Sequence, residues 1–221
     1  LTSIIGFAEV LGDTEKTIDA QTGTAHPSTS QLAHLIEKSG RRLLDTLNSV
    51  LDFSQLEAGS MQLSPEPLNV STEAKKAADL FAPRAEAEGI HFQTLLPRRP
   101  LRAYSDQGAL QRILHNLLSN AVKFTEAGDS VQVRARRTSD TIALEVEDTG
   151  VGIKKEFLPD LFDAFKQGSS GTDRSHEGSG LGLAVTKRLV EHMDGSIDVT
   201  TSPGEGTCFT VHLPPAPPVT E

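Results

Sequence analysis

Two asparagines and a lysine stand at helical spacing in the run HNLLSNAVKF. Asn116 and Asn120 are four residues apart and share a helix face, and Lys123 lies near the same edge three residues on. Amide oxygens are hard ligands suited to Mg2+, and an ammonium suits a phosphate. A polar helix side turned to water would use the same residue types. In EDTGVGI (147–153), Asp148 closes an alternating stretch and is followed by Gly150 and Gly152. A carboxylate at a strand end can accept a hydrogen bond from an exocyclic amine such as that of adenine, and glycines permit close backbone approach. An ordinary Asp-Thr-Gly turn has the same appearance. GSGLGLAV (178–185) sets Gly178, Gly180 and Gly182 around Leu181 at the start of a helix. Free N–H groups at such a start can bind phosphate oxygens. No strand directly precedes these glycines, so they are not the dinucleotide fingerprint. GEGTCF (204–209) carries Thr207 through a glycine turn into the last strand, and alone it reads as a tight hairpin.

These residues need elements to hold them. Residues 1–12 place Leu1, Ile4, Ile5, Ala8 and Leu11 at helical spacing. Residues 31–58 carry a longer apolar stripe through Leu32, Leu35, Leu43, Leu47, Val50 and Leu51, with Gly59 as its terminator. The pair makes a helical hairpin whose stripe is too long to bury within itself. A second copy would cover it in a four-helix bundle, so a homodimer is expected. The two prolines in 60–70 predict a linker. Helices follow at 71–88, 106–123 and 180–193, with a short one near 155–161. Strands are predicted at 90–96, 101–105, 131–135, 142–146, 196–201 and 207–213. The loop KQGSSGTDRSHE (166–177) is small and polar, of a kind that can fold over a ligand. The fold class is α+β: a helical hairpin, then a two-layer sandwich with helices on one side of an antiparallel-looking sheet. The division is 1–59 hairpin, 60–66 linker, 67–214 ligand-binding domain and 215–221 Pro-rich tail, extended or disordered.

The bulk properties limit the function classes. A net charge of -9 and a pI near 5.3 argue against nonspecific nucleic-acid binding, which needs a basic face. The lone Cys208 cannot form an internal disulfide. No apolar run is long enough to span a membrane.

Taken in order, Asn116 with Asn120, DTGVG, LFDAFKQ, GSGLGL and GEGT resemble the N, G1, F, G2 and G3 boxes of sensor histidine kinases. These kinases belong to a superfamily that includes the gyrase, mismatch-repair and heat-shock chaperone ATPases. This resemblance covers residues 66–214. LTSIIGFAEVL and SGRRLLDTLNSVLDFSQLEAG resemble the dimerisation and phosphoacceptor hairpin of the same kinases. The resemblance implies Mg-ATP as ligand, with Asp148 on the adenine amine and Gly150 and Gly152 against the purine. It puts Asn120 on Mg2+, Asn116 in the phosphate region and Lys123 on phosphate. Phe162 and Phe165 would anchor a lid spanning 167–178. Gly178, Gly180, Leu181 and Gly182 would present N–H groups to the phosphates, with Thr207 contributing from the last hairpin. The implied reaction transfers the γ-phosphate to a histidine for relay to an aspartate on a response-regulator receiver domain.

In the family, the acceptor histidine has an acid beside it and a proline shortly after, just before a segment like LTSIIGF. None of the seven histidines (26, 34, 91, 115, 176, 192, 212) has that context. The acceptor is therefore expected upstream of Leu1, with no acceptor in this chain and no autophosphorylation by it alone. A cytoplasmic location is implied, the parent protein being membrane-anchored or not. Three rival readings have discriminating features. A clamp-type ATPase of the superfamily carries a general-base Glu where Asn116 stands. A serine kinase of the anti-sigma type lacks the hairpin. A dimerising scaffold without turnover would not need the glycines and Asp148.

Overall fold

The computed structural model describes residues 29–167 and 179–216. The helix expected over 1–12, Gly178 and most of the lid segment lie outside the described residues. Two compact units divide the chain, 1–51 and 52–221, and the long helix α1 (Thr29–Glu57) runs across their boundary. In the first unit, Leu44, Leu47 and Leu51 of α1 are each more than half exposed, and Val50 is exposed beside them. The helix ends at the predicted glycine. Gly59 adopts φ 61, and its N–H bonds the Leu56 carbonyl at 3.1 Å.

The second unit lays helices against a five-stranded sheet. The elements are β1 (Glu66–Asn69), α2 (Val70–Ala87), β2 (His91–Leu95), β3 (Arg102–Ser105), α3 (Gln107–Lys123), β4 (Ser130–Arg137), β5 (Ile142–Asp148), a 3-10 turn (Lys155–Asp160), α4 (Gly182–His192), β6 (Ser196–Ser202) and β7 (Gly206–Leu213). The sheet order is β2-β4-β5-β7-β6, while β1 and β3 form a separate two-stranded ribbon. Leu110, Ile113, Leu114, Leu117 and Leu118 of α3 are fully buried, as are Val131, Val133, Ile142, Leu144 and Val211 of the sheet. The 3.6-residue stripe of α3 thus meets the two-residue alternation of the strands. Asp106 starts α3 by accepting the Ala109 N–H at 2.8 Å.

The structure departs from the sequence reading in three places. The expected linker holds β1, which pairs antiparallel with β3 from Glu66↔Ser105 to Asn69↔Arg102. Pro67 is tolerated there because β1 is an edge strand. Upstream of it, Met61 and Leu63 pack on the core, and the Ser64 N–H bonds Asp106 at 2.9 Å. Second, the sheet is mixed: β2 runs parallel to β4, His91↔Ser130 through Leu95↔Arg134. The chain between them passes through β3 and α3, a crossover long enough for a parallel return. Third, the tail begins in register. Pro215 bridges Ala103, and the Ala216 N–H bonds the Arg102 carbonyl at 3.0 Å.

Candidate functional site

Helix α3 carries three of the candidate side chains along its edge. From Asn116 to Lys123 is seven residues, or about 10 Å of helix. Asn116 Nδ2 donates to the Gly182 carbonyl at 3.1 Å and to Thr186 Oγ1 at 3.3 Å, so this asparagine is tied to the first turn of α4. Asn120, one turn on, is half-buried and makes no side-chain hydrogen bond among the described residues. The Lys123 ammonium lies over the Phe124 ring, 4.7 Å from its centroid.

Asp148 ends β5 and is 7% exposed. Burial pushes its carboxyl up from 3.8 to about 6; the backbone N–H groups of Gly150 and Thr207 pull the other way, and the negative charges of Glu147 and Asp129 push further up. The Gly150 N–H lies 3.0 Å from Asp148 Oδ1. No cation pairs with this carboxylate among the described residues. Thr207 faces it across the β5–β7 pair. The Thr207 hydroxyl is instead engaged with Thr201 Oγ1 at 3.1 Å, and Thr201 also bonds the Gly206 carbonyl and the Ile153 N–H.

The glycines after Asp148 answer to the chain's own backbone. A Cβ on Gly150 would overlap the Phe124 carbonyl oxygen at the end of α3, and one on Gly152 (φ 66) would overlap the Ser202 carbonyl oxygen. Their smallness therefore seats the 148–153 turn between α3 and the β6–β7 hairpin, which brings Asp148 beside the end of α3.

At the other pole, α4 begins at Gly182 with no side-chain cap. The N–H groups of its first turn, which have no intrahelical partners, are thus left without a side-chain acceptor at the N-cap. Leu181 is buried, and its own N–H is engaged with Ser179 Oγ at 3.3 Å. The chain before residue 168 meets the chain after residue 178. The Phe165 N–H bonds the Gly180 carbonyl at 3.0 Å, and Gly180 (φ 69) leaves no room for a Cβ beside Phe165 and Lys166. Phe162 packs edge-on against Phe209, while Phe165 sits at a positive φ of 65, is 66% exposed and meets Phe53 at 6.2 Å. The structure thus brings Asn116, Gly180, Leu181, Gly182 and Phe165 together at one pole, and Asp148, Gly150 and Thr207 at the other, with Lys123 on the last turn of α3. Asn120 lies between them on α3. Thr186, Thr201 and Phe124 belong to this arrangement and were not singled out from the sequence. Thr186 had one legible signal, its position four residues after Gly182 on the same helix face.

The donor set suits a metal–nucleotide. A buried carboxylate without a cation offers an acceptor for an amine. An uncapped helix start offers donors to phosphate. Among the described residues no group of three or more His, Cys, Asp and Glu is placed to hold a metal ion. A cation here would rest on amide oxygens and on the nucleotide's own phosphates, a set that Mg2+ accepts. A cavity of about 520 Å3 beside the start of α2, lined by Lys75, Lys76 and Arg98, contains none of these residues.

Comparison with known proteins agrees with the site. Residues 105–217 match the family described as histidine kinase-, DNA gyrase B-, and HSP90-like ATPase. Residues 1–59 match the His Kinase A (phospho-acceptor) domain. That second match starts at the first residue and lends no support to an acceptor placed before Leu1. The chain is 36% identical over 219 residues to the sensor protein GacS of Pseudomonas syringae pv. syringae, covering 96% of this chain and 23% of that protein. It is 42% identical over 183 residues to a non-motile and phage-resistance protein of Caulobacter vibrioides, covering 81% and 22%. The chain thus spans less than a quarter of the length of these relatives. The crystal structure of full-length ShkA in complex with AMPPNP superposes with a TM-score of 0.73 at 32% identity, covering 97% of this chain and 42% of that one. With the site and more than half of its length matched, the chain belongs to the histidine kinase-, DNA gyrase B-, and HSP90-like ATPase family, and its phosphoacceptor domain followed by an ATPase domain is the core arrangement of a sensor histidine kinase.

Proposed function

We propose that this chain binds Mg-ATP between the β5 end and the start of α4 and acts as the kinase core that phosphorylates a histidine, for relay to a receiver-domain aspartate. The observation that carries the reading is Asp148, a buried carboxylate held by backbone N–H groups at one end of α3 while an uncapped helix start faces the other end. Asp148 accepts the adenine amine. Lys123 and the first-turn N–H groups of α4 neutralise phosphate charge, Asn120 supplies an amide oxygen to the metal, and Asn116 lines the same phosphate region. Bound Mg-ATP supplies the phosphoryl group, which leaves ADP as its bond to the β-phosphate oxygen breaks and a P–N bond forms on the imidazole. Positioning and charge neutralisation account for most of such a transfer. Asn116 cannot take a proton from water as a general base, which argues against a clamp-type ATPase.

The exposed Leu44, Leu47, Val50 and Leu51 support a homodimer through α1. No helix among the described residues is long and apolar enough to cross a membrane. The acceptor is the finer part of the reading. Within 1–59, His26 and His34 both lack an adjacent acid, so we place the acceptor in the parent protein before Leu1 on motif context alone.

The test is labelling by γ-labelled Mg-ATP of this chain, its His26→Gln and His34→Gln variants, and the parent protein. The expected result is an acid-labile, base-stable phosphate on the parent and none on this chain. Labelling of this chain that disappears in one of the two variants would move the acceptor inside it. Release of free phosphate with no labelled protein would replace the kinase reading with the clamp-type one.

A further inference from the structure

Thr186 lies on α4, four residues after Gly182, and is completely buried. A buried hydroxyl needs a partner inside the protein, and the one the structure gives it is Asn116 Nδ2 at 3.3 Å. The same nitrogen bonds the Gly182 carbonyl at 3.1 Å. An asparagine amide has a donor end and an acceptor end, and whichever end is held decides what the other end offers. Here two acceptors on α4 hold the nitrogen. Asn116 Oδ1 has no hydrogen bond among the described residues and lies 3.7 Å from where a Cβ on Gly182 would stand, over the uncapped first turn of α4. A reversed amide would set its oxygen against the Gly182 carbonyl oxygen, which cannot donate, and would turn an N–H₂ toward the cation; the Thr186 hydroxyl adds a second acceptor that keeps the nitrogen on this side.

We propose that Thr186 is a positioning residue for the metal–nucleotide: together with the Gly182 carbonyl it holds the Asn116 amide with nitrogen against α4 and oxygen toward the cation. The proposal rests on the Mg-ATP reading above and goes beyond it, because Thr186 touches neither ligand nor metal. It also ties the metal side of the site on α3 to the phosphate side on α4. An Asn116 that orients correctly holds the first turn of α4 in place at the same time.

The experiment compares Thr186→Val, which keeps the side-chain shape without the hydroxyl, with Thr186→Ser, which keeps the hydroxyl. ATP affinity is measured by calorimetry with Mg2+ and again with EDTA, and the melting temperature is read without nucleotide. Loss of one hydrogen bond predicts about fivefold weaker binding in Mg2+ for Thr186→Val. Binding in EDTA should change much less, and Thr186→Ser should recover the wild-type value. Unchanged Mg-ATP affinity in a folded Thr186→Val overturns the proposal. So does an equal loss with and without Mg2+, or a Thr186→Ser variant as weak as the valine. A Thr186→Val protein that melts early points to packing, and the serine variant then decides. Failure of the wild type to bind ATP at all would sink the nucleotide reading itself, a separate result.

Discussion

Burying an ionisable carboxylate without a cation beside it works against folding, and Asp148 is such a group. Its carboxyl is held near 6 against an ordinary 3.8. Between these pH values the folded form keeps a proton that the unfolded form has released. The contribution of Asp148 to stability therefore falls as pH rises from 3.8 to about 6, and its cost is complete above that. At neutral pH the shift corresponds to roughly 3 kcal/mol. Asp148→Asn should thus raise the melting temperature in neutral buffer while losing most ATP affinity, and calorimetry beside thermal melting checks both. In the wild type, affinity should hold above about pH 6 and decline below it as the carboxyl takes up its proton; a flat profile would contradict the adenine role. Asp148 was legible because a carboxylate before two glycines at a strand end is a local pattern. The engagement of Asn116 with Gly182 and Thr186 was not legible, since it spans 66 and 70 residues of sequence. The role of Gly150 and Gly152 was legible only in part. The residue type announces a close approach, but the partners at Phe124 and Ser202 belong to other elements.

At the level of elements, α2 and α3 are joined by a polar cluster at the edge of their apolar contact. Glu73 of α2 is 3% exposed and accepts from Lys76 at 2.7 Å and from Gln111 at 2.6 Å, with Gln107 at 3.3 Å. Burial alone would raise its carboxyl, but the hydrogen bonds from Lys76, Gln111 and Gln107 outweigh it and leave the carboxyl below its ordinary 4.5. Its stabilising contribution is full above 4.5 and is lost as pH falls through the depressed folded value. Glu73→Gln should destabilise the domain by about 1–3 kcal/mol at pH 7 and by less in acid, read from urea midpoints at the two pH values. The helices themselves could be read from their stripes, and α3 from its Asp106 cap. Two strand features could not. β1 contains Pro67, and its pairing depends on β3, more than thirty residues away. β2 is an edge strand with most of its residues exposed, so its alternation is faint and its parallel direction leaves no local mark.

At the scale of the whole molecule, β1 and the last described residues flank the same strand. Leu68 pairs with Ala103 from one side, and Pro215 bridges Ala103 from the other. Two inter-strand spacings put the way in and the way out about 10 Å apart. Chain entering at β1 and chain leaving after Ala216 thus lie side by side, an arrangement that tolerates permutation. A circular permutant makes this testable: residues 52 and 216 joined by a flexible glycine–serine linker, with new ends opened at the exposed Ser139–Asp140 turn. It should fold cooperatively and bind ATP within a few-fold of the original. Such proximity of ends also gives the fold a mechanical character. A pull applied at β1 and at Ala216 would bear first on the short β1–β3–Pro215 ribbon and would leave the five-stranded sheet outside the line of force.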